Sequence, residues 1–204
     1  MRRTKEEAEQ TKRSILSAAK ILFTEKGFSE TTLDEVAQKA GFTRGAVHWH
    51  FQNKFGLLIA IQELERSPME HLISKLSIDS NLDPIASLHE TSVNFFTELS
   101  DSPEKKKLFQ VMFREMYNEK FDPDAKRVRL FETEIRAMLT KILRLADQRG
   151  ILAAPWTPES AALAYQTMIK GIITTWLYET ADFDLVNDAL VATGTFLQTL
   201  RKYQ

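Results

Sequence analysis

Cysteine is absent from all 204 residues. That excludes a disulfide scaffold, thiolate metal sites and a cysteine nucleophile, and it fits a reducing cytoplasm. Glycine and proline are sparse, 7 and 6 in number. Most of them stand between apolar-periodic stretches, which favours long helices over a many-turned β architecture. No stretch approaches ~18 uninterrupted apolar residues, so no membrane span is expected. The longest candidate, Met168 to Leu177, is broken by Lys170 and two threonines. The opening Met1-Arg-Arg-Thr-Lys-Glu-Glu is basic but has no apolar core behind it, so it does not read as a signal peptide. Enzyme signatures are missing as well: there is no phosphate-binding loop, G-x-S-x-G, H-E-x-x-H or dinucleotide fingerprint. His48 and His50 lie roughly 200° apart around a helix and cannot chelate one metal from a regular helix. His71 and His89 are isolated and read as surface residues. No catalytic residue, metal site or cofactor is expected, and the cytoplasm is the expected location.

What remains is the composition of an ordinary globular protein, 43% hydrophobic and 27% charged. The formal net charge of −1 conceals an asymmetry. Residues 1–60 carry 10 Lys/Arg against 7 Asp/Glu, and residues 61–204 carry 17 against 21. A slightly basic head on an acidic body suits a protein that touches phosphates at one end.

The periodicity is helical throughout. Ile15, Ala18, Ala19, Leu22 and Phe23 form the stripe of a first amphipathic helix, with Gly27 placed to end it. Thr32 and Glu35 have the spacing of a capping box opening a short second helix, with Leu33, Val36, Ala37 and Ala40 on its buried side. Gly41 stops it. Thr43 caps a third short helix to about His50, with Ala46 and Val47 inward, and Asn53 caps a longer one carrying Leu57, Leu58, Ile61 and Leu64 to about Ser67. Asp83-Pro84 and Ser102-Pro103 open the next two helices. Pro123 marks a break, and Val128, Phe131, Ile135, Met138, Ile142 and Leu145 then recur in steps of three and four up to Gly150. Thr157-Pro158 and Asp184 open the last two. The expected fold is all-α, with about nine helices: a three-helix head over residues 1–54 and a helical body over 55–204.

Two short helices joined by a turn containing glycine make a helix-turn-helix unit, whose second helix enters the major groove of DNA. Here that helix reads Arg44-Gly45-Ala46-Val47-His48-Trp49-His50. Gly45 and Ala46 would let its N-terminal end approach the duplex. Arg44 suits guanine by bidentate donation. Thr43 and Lys54, at helix N-termini, suit phosphates, and Trp49 and His50 suit the sugar-phosphate edge. A plain helical hairpin is the competing reading of the same pattern.

The run from Thr31 to Lys54, TTLDEVAQKAGFTRGAVHWHFQNK, closely resembles the DNA-binding signature of the tetracycline-repressor (TetR) family. The opening RRTKEEAEQTKRSILSAAKILFTEKGF resembles that family's first helix, and together they resemble its branch of multidrug-efflux-pump repressors. The resemblance is dense over roughly residues 2–58 and rests on helix order beyond them. It implies DNA contacts from Thr32, Thr43, Arg44, Gly45, Ala46, His48, Trp49, His50 and Lys54. His48 departs from the family, which usually carries Tyr before the Trp. Phe55-Gly56 is a second departure, read as a weak first helical turn that permits movement between head and body, or as neutral.

The resemblance further implies a homodimeric repressor of double-stranded operator DNA, released by a small lipophilic molecule. The last two helices, about 158–180 and 184–202, carry the apolar faces for such a dimer: Ala161, Tyr165, Met168, Ile172 and Trp176, then Val186, Leu190, Phe196, Leu197 and Leu200. Those faces could equally cover the chain's own core. Phe95, Phe96, Phe109, Met112, Phe113, Met116, Phe131 and Met138 concentrate the aromatic and thioether surface that suits lipophilic ligands, although such stripes are more often core. The expected effector-binding set is Glu65, Ser92, Phe95, Phe96, Phe109, Gln110, Phe113, Gln166, Ile169, Lys170 and Ile173. Glu65 and Gln110 lead it by resemblance, with a carboxylate favouring cationic amphiphiles and a salt bridge as the competing account of Glu65. Coupling to DNA is expected through the helix from Lys54 to about Ser67, in an operon controlling multidrug efflux.

Overall fold

The computed structural model describes residues 5–116, 123–178 and 183–202, with side chains of 123–129 outside that description. Within those bounds nine α-helices follow one another: α1 (Lys5–Glu25), α2 (Leu33–Ala40), α3 (Arg44–Phe51), α4 (Lys54–Ile78), α5 (Pro84–Asp101), α6 (Pro103–Met116), α7 (Pro123–Gln148), α8 (Pro158–Tyr178) and α9 (Leu185–Thr199). The expected start of the family-like segment at residues 2–4, the side chain of Val128 and the end of the eighth expected helix at 179–180 fall outside the described residues. The all-helical expectation holds. The only non-helical pairing among the described residues is one antiparallel bridge between Leu152 and Arg201.

The chain forms two compact units, one of residues 1–65 with 107–129 and one of residues 66–106 with 130–204. In the first unit, α1 buries Ile15, Ala18, Ala19, Leu22 and Phe23. α4 adds Leu57, Leu58 and Ile61, each fully withdrawn from water, and α6 adds Phe109, Met112, Phe113 and Met116. Each large apolar side chain so buried contributes about 1.5–3 kcal/mol relative to exposure. Phe28, just after the turn at Gly27, lies between the rings of Phe23 and Phe55, at 5.1 and 5.0 Å between centroids. Leu64, expected in the buried stripe of α4, is instead exposed.

The second unit packs α5 and α8 against α9. Its core includes Leu72, Leu76, Ile85, Leu88, Ile142, Leu143, Tyr165, Leu197 and Leu200. α9 comes so close to α5 that a Cβ on Gly194 would stand 3.1 Å from His89 Nε2. His89 is therefore half-buried rather than a surface residue. Arg149, at the end of α7, donates to the carbonyls of Leu82, Leu76 and Asp79 and so ties down the α4–α5 connection.

Two further expectations are corrected. α4 does not stop near Ser67 but continues through Pro68 to Ile78. Proline there removes one helical hydrogen bond and costs about 3 kcal/mol, yet burial of Leu72, Ile73 and Leu76 beyond it keeps the helix going. On α8 and α9, Ala161, Tyr165, Leu197 and Leu200 face the chain's own core, as do the partly buried Met168 and Phe196. They are not an outward face. The solvent stripe of α8 runs instead through Leu163, Thr167, Gly171 and Tyr178, and that of α9 through Val191, Thr195 and Gln198.

Candidate nucleic-acid interface and effector residues

α2 and α3 are fixed by local chemistry. Thr32 Oγ1 accepts the N–H of Glu35 at 3.2 Å, while Glu35 Oε2 accepts the N–H of Thr32 at 2.9 Å. Glu35 also pairs with Lys26. The Lys26 ammonium, then the two groups of Thr32, hold the Glu35 carboxyl down to about 2 from an ordinary 4.5. Gly41 ends α2 at φ 75°, and the N–H of Phe42 reaches back to the Ala37 carbonyl at 2.9 Å. That is a left-handed stop of the kind glycine permits. Thr43 Oγ1 accepts the N–H of Ala46 at 3.2 Å and opens α3. Val36, Ala37, Val47 and Phe51 bury the inner sides of both helices.

What this leaves outside is one continuous polar and aromatic face. Thr32, Thr43, Arg44, Gly45, His48 and Trp49 are exposed, and Ala46 and His50 are half-buried. Trp49 is 72% exposed, an unusual cost for an indole with nothing to cover it. His50 meets it edge-on at 4.5 Å. Arg44 Nη1 stands 3.1 Å from Asp34 Oδ2, with both side chains more exposed than not. An open pair of that kind is worth about 0–1 kcal/mol and yields readily to a base edge or phosphate. His48 Nδ1 lies 2.6 Å from the carbonyl oxygen of Gln52. A carbonyl only accepts, so Nδ1 donates in this contact and Nε2 is the ring nitrogen it leaves over.

Lys54 is engaged within the chain. Its Nζ donates to the carbonyls of Phe28 and Ser29, both at 2.8 Å, and stands 4.9 Å from the Phe28 ring centroid. The ammonium joins the start of α4 to the turn after α1, as a brace between them. The reading of Gly56 is corrected. A Cβ there would lie 1.9 Å from the Phe51 carbonyl oxygen. The glycine is required by the α3–α4 joint, where Gln52 takes φ 65° and Asn53 Oδ1 accepts the Gly56 N–H at 3.0 Å. It is not a loose point.

The expected effector residues are divided between the two units. Glu65, Phe109, Gln110 and Phe113 belong to the first unit, and Ser92, Phe95, Phe96, Gln166, Ile169, Lys170 and Ile173 to the second. Glu65 Oε1 pairs with Lys20 Nζ at 3.0 Å, which is the salt-bridge account of that carboxylate. Buried Ser92 donates to the Leu88 carbonyl at 2.9 Å and shares a 2.5 Å hydrogen bond with the Tyr165 hydroxyl. Burial, opposed by that bond, pushes the Tyr165 phenol up to about 12. Gln166 and Lys170 converge on Glu132 of α7, the first donating to its carbonyl at 2.7 Å and the second pairing with its carboxylate at 2.8 Å. Phe96, Phe109, Phe113 and Ile173 are buried, while Phe95, Gln110 and Ile169 are half-buried. An open groove of about 490 Å³ does occur in the second unit, between Arg66, Glu70 and Ile73 of α4 and Glu134, Met138 and Lys141 of α7, and none of the expected set lines it.

Buried Gln62 and Glu115 stand outside the set expected from the sequence. Glu115 sits beside Arg114 at 3.2 Å, and Arg114 Nη2 comes within 3.7 Å of where a Cβ on Gly27 would be. Lone polar residues amid apolar helical stripes are their only signal.

A capped helix-turn-helix with its second helix turned to solvent, on a body made of helices, defines a DNA-binding transcriptional regulator. The profile of bacterial regulatory proteins, tetR family, matches residues 15–61, and that of the MAATS-type transcriptional repressor C-terminal region matches residues 83–202. The chain belongs to the TetR family and is a transcriptional repressor of that type. The HTH-type transcriptional repressor BepR of Brucella suis biovar 1 is 30% identical over 98% of this chain and 97% of its own. The HTH-type transcriptional regulator TtgR of Pseudomonas putida is 30% identical over 98% and 96%. The solved SmeT–triclosan complex superposes with a TM-score of 0.81 at 28% identity, over 95% of this chain and 92% of SmeT. SmeT is the repressor of the Stenotrophomonas maltophilia multidrug efflux pump SmeDEF.

Proposed function

We propose that this repressor binds a palindromic operator as a homodimer, is released by a small lipophilic effector that includes cations in its range, and controls a multidrug-efflux operon. The observation that carries the reading is the uncovered face of α3. Thr43, Arg44, Gly45, His48 and Trp49 stand in solvent on a helix whose other side is locked into the core. Arg44, His48 and Thr43 supply donors and an imidazole for base edges and phosphates, and Gly45 with Ala46 permits close approach. A two-fold dimer places two such helices about 34–36 Å apart, one for each successive major groove.

The outward stripes of α8 and α9 support the dimer. Leu163, Thr167, Gly171, Val191 and Thr195 are small or apolar and exposed, and two such helices from each copy would bury them as a four-helix interface. The effector reading is supported by the triclosan bound in SmeT, a relative that represses an efflux pump. In this chain Phe95, Gln110 and Ile169 still have surface to offer. Glu65, Ser92, Gln166 and Lys170 would meet an effector only by giving up their present partners. Release follows if effector binds better to conformations whose recognition helices no longer match adjacent grooves.

Fluorescence anisotropy against DNA upstream of the chain's own gene, in about 150 mM salt, tests the reading, since non-specific binding collapses steeply with salt. Selective binding that tetraphenylphosphonium or triclosan reverses is the expected result. Selective binding indifferent to a broad panel of lipophilic cations and phenols would remove the efflux assignment, and loss of selectivity at that salt would remove the operator.

A further inference from the structure

α6 opens with Glu104, as the helix dipole favours, and then turns against the electrostatic rule for helices. Lys105, Lys106 and Lys107 follow one another in its first two turns, at the end where the helix dipole disfavours cations. Two of the three have found compensation on aromatic faces. Lys106 Nζ stands 3.9 Å from the centroid of the Trp176 indole on α8. Lys105 Nζ stands 5.9 Å from the centroid of Phe95 on α5 and 2.6 Å from Glu98 Oε2. Both Lys106 and Trp176 are half-buried, so the ring is neither sealed in the core nor free in water.

We infer that the face of Trp176 is a cation-binding subsite, held in the unliganded protein by the chain's own Lys106, and that a lipophilic cation takes it by displacing that ammonium. This deepens the effector reading above and rests on it. Indole is the best of the protein's aromatic faces for a cation, and a quaternary or delocalised cation, more weakly hydrated than Lys, leaves water for that ring more readily. Once displaced, Lys106 returns its charge to the unfavourable end of α6, with Lys105 and Lys107 beside it. The first turns of α6 then lose the contact that offset the repulsion. α6 continues through Lys107 into the part of the chain that forms one compact unit with the helix-turn-helix, where Arg114 approaches the Gly27 turn. A ligand read at Trp176 thereby acts on the helix that reaches the DNA-binding head.

Calorimetric titration of the full-length protein with tetraphenylphosphonium, and with neutral triphenylphosphine oxide as control, tests the inference. Lys106→Met keeps the side chain's apolar stem and frees the ring. It is expected to bind tetraphenylphosphonium roughly five- to thirty-fold more tightly than the native protein, the fold-change that corresponds to about 1–2 kcal/mol of cation–π energy. The phosphine oxide should change less than about twofold. Lys106→Arg, which restores a cation over the ring, should return native affinity. Lys107→Met, an equal loss of charge away from the ring, should leave the cation's affinity within about twofold. Trp176→Leu should abolish the gain when combined with Lys106→Met. Unchanged cation affinity in Lys106→Met overturns the inference, as does an equal gain in Lys107→Met or an equal change for the neutral probe. If tetraphenylphosphonium frees the native protein from its operator while Lys106→Met binds it no better, the effector reading stands and the Trp176 subsite falls. If Lys106→Met binds it more tightly and no lipophile frees the operator, the subsite stands and the effector reading falls.

Discussion

Replacing Gly56 by alanine separates two physical accounts of the α3–α4 joint. Helix propensity alone makes the substitution favourable by about 1 kcal/mol, because glycine in a first turn has more freedom to lose. The structure gives the opposite sign. A Cβ at this position lies 1.9 Å from the Phe51 carbonyl oxygen and 2.9 Å from its carbonyl carbon, where ordinary contact begins at 3.4 Å. Both atoms are backbone, so no rotamer change relieves the overlap. The end of α3 has to withdraw from α4, against a Phe51 side chain that is only 6% exposed and a Gln52 already at φ 65°. Forcing extra volume into such a site costs about 1–3 kcal/mol. With a backbone obstacle the upper end applies, leaving a net loss of about 2 kcal/mol after the propensity gain. For a chain of this length that corresponds to a fall of roughly 4–8 °C in Tm. Because the shift is at the C-terminal end of the recognition helix, operator affinity should fall with it. Thermal unfolding followed by circular dichroism, alongside operator anisotropy, measures both. A Gly56→Ala protein that melts higher than native and binds operator as tightly refutes the steric argument and restores the propensity account.

Two further substitutions sort the same surface, and a third tests the core of the second unit. Lys54→Met should cost about 1–3 kcal/mol of stability, because two carbonyls lose a charged donor, while the salt dependence of operator binding keeps its slope; a slope reduced by about one with stability intact would make Lys54 a phosphate ligand instead. Arg44→Ala should weaken operator binding by about 1–3 kcal/mol and relax specificity at one base pair per half-site, yet move stability by less than about 1 kcal/mol, since its exposed pair with Asp34 holds little. Equal losses on operator and random DNA would remove its role as a base reader. Tyr165→Phe addresses alkaline stability. The native phenol is held near 12 against an ordinary 10, so the unfolded chain ionises first and stability falls as pH rises from 10 through 12, by on the order of 2–3 kcal/mol. The phenylalanine variant should lose that slope at the cost of about 1 kcal/mol at neutral pH for the missing Ser92 bond. Denaturant midpoints between pH 8 and 11 decide it, and an unchanged alkaline slope counts against a buried Tyr165.

Local chemistry was legible in the sequence, and contacts made at a distance were not. Thr32 with Glu35, Gly41, Thr43, Asp83 and Asp184 all act within a few residues of themselves, and each stands where its spacing places it. The recognition helix follows from those caps. The orientation of α8 does not. Ala161 and Tyr165 lie on one side of it and Leu163, Thr167 and Gly171 on the other, and all five are apolar or small. A helix without a charged face offers no period to say which stripe meets its own core. α4 posed the converse problem. Pro68 is a strong local stop signal, overridden by the burial of residues up to eight positions further on, such as Leu76.

The polar residues within the helices show why an effector set is harder to read from sequence than an outward helical face. A polar side chain on a largely apolar helix signals that something pairs with it, because leaving it unpaired in the core costs free energy. The sequence does not say whether the partner is a ligand or the chain itself. Ser92 meets Tyr165 across 73 residues, Lys20 meets Glu65 across 45, and Gln166 meets the Glu132 carbonyl across 34. Each partner belongs to a helix whose neighbour in space is set by the whole fold. On α3 the ambiguity does not arise in the same form. Arg44 and Trp49 sit on the outer side of a helix whose inner side is already occupied by Val47 and Phe51. What their exposure leaves unexplained within the chain is what a partner outside it, the operator, would supply. Lys106 lies between these cases. Its charge has a partner, but one that a better cation can take, and that makes an internal contact a candidate for exchange.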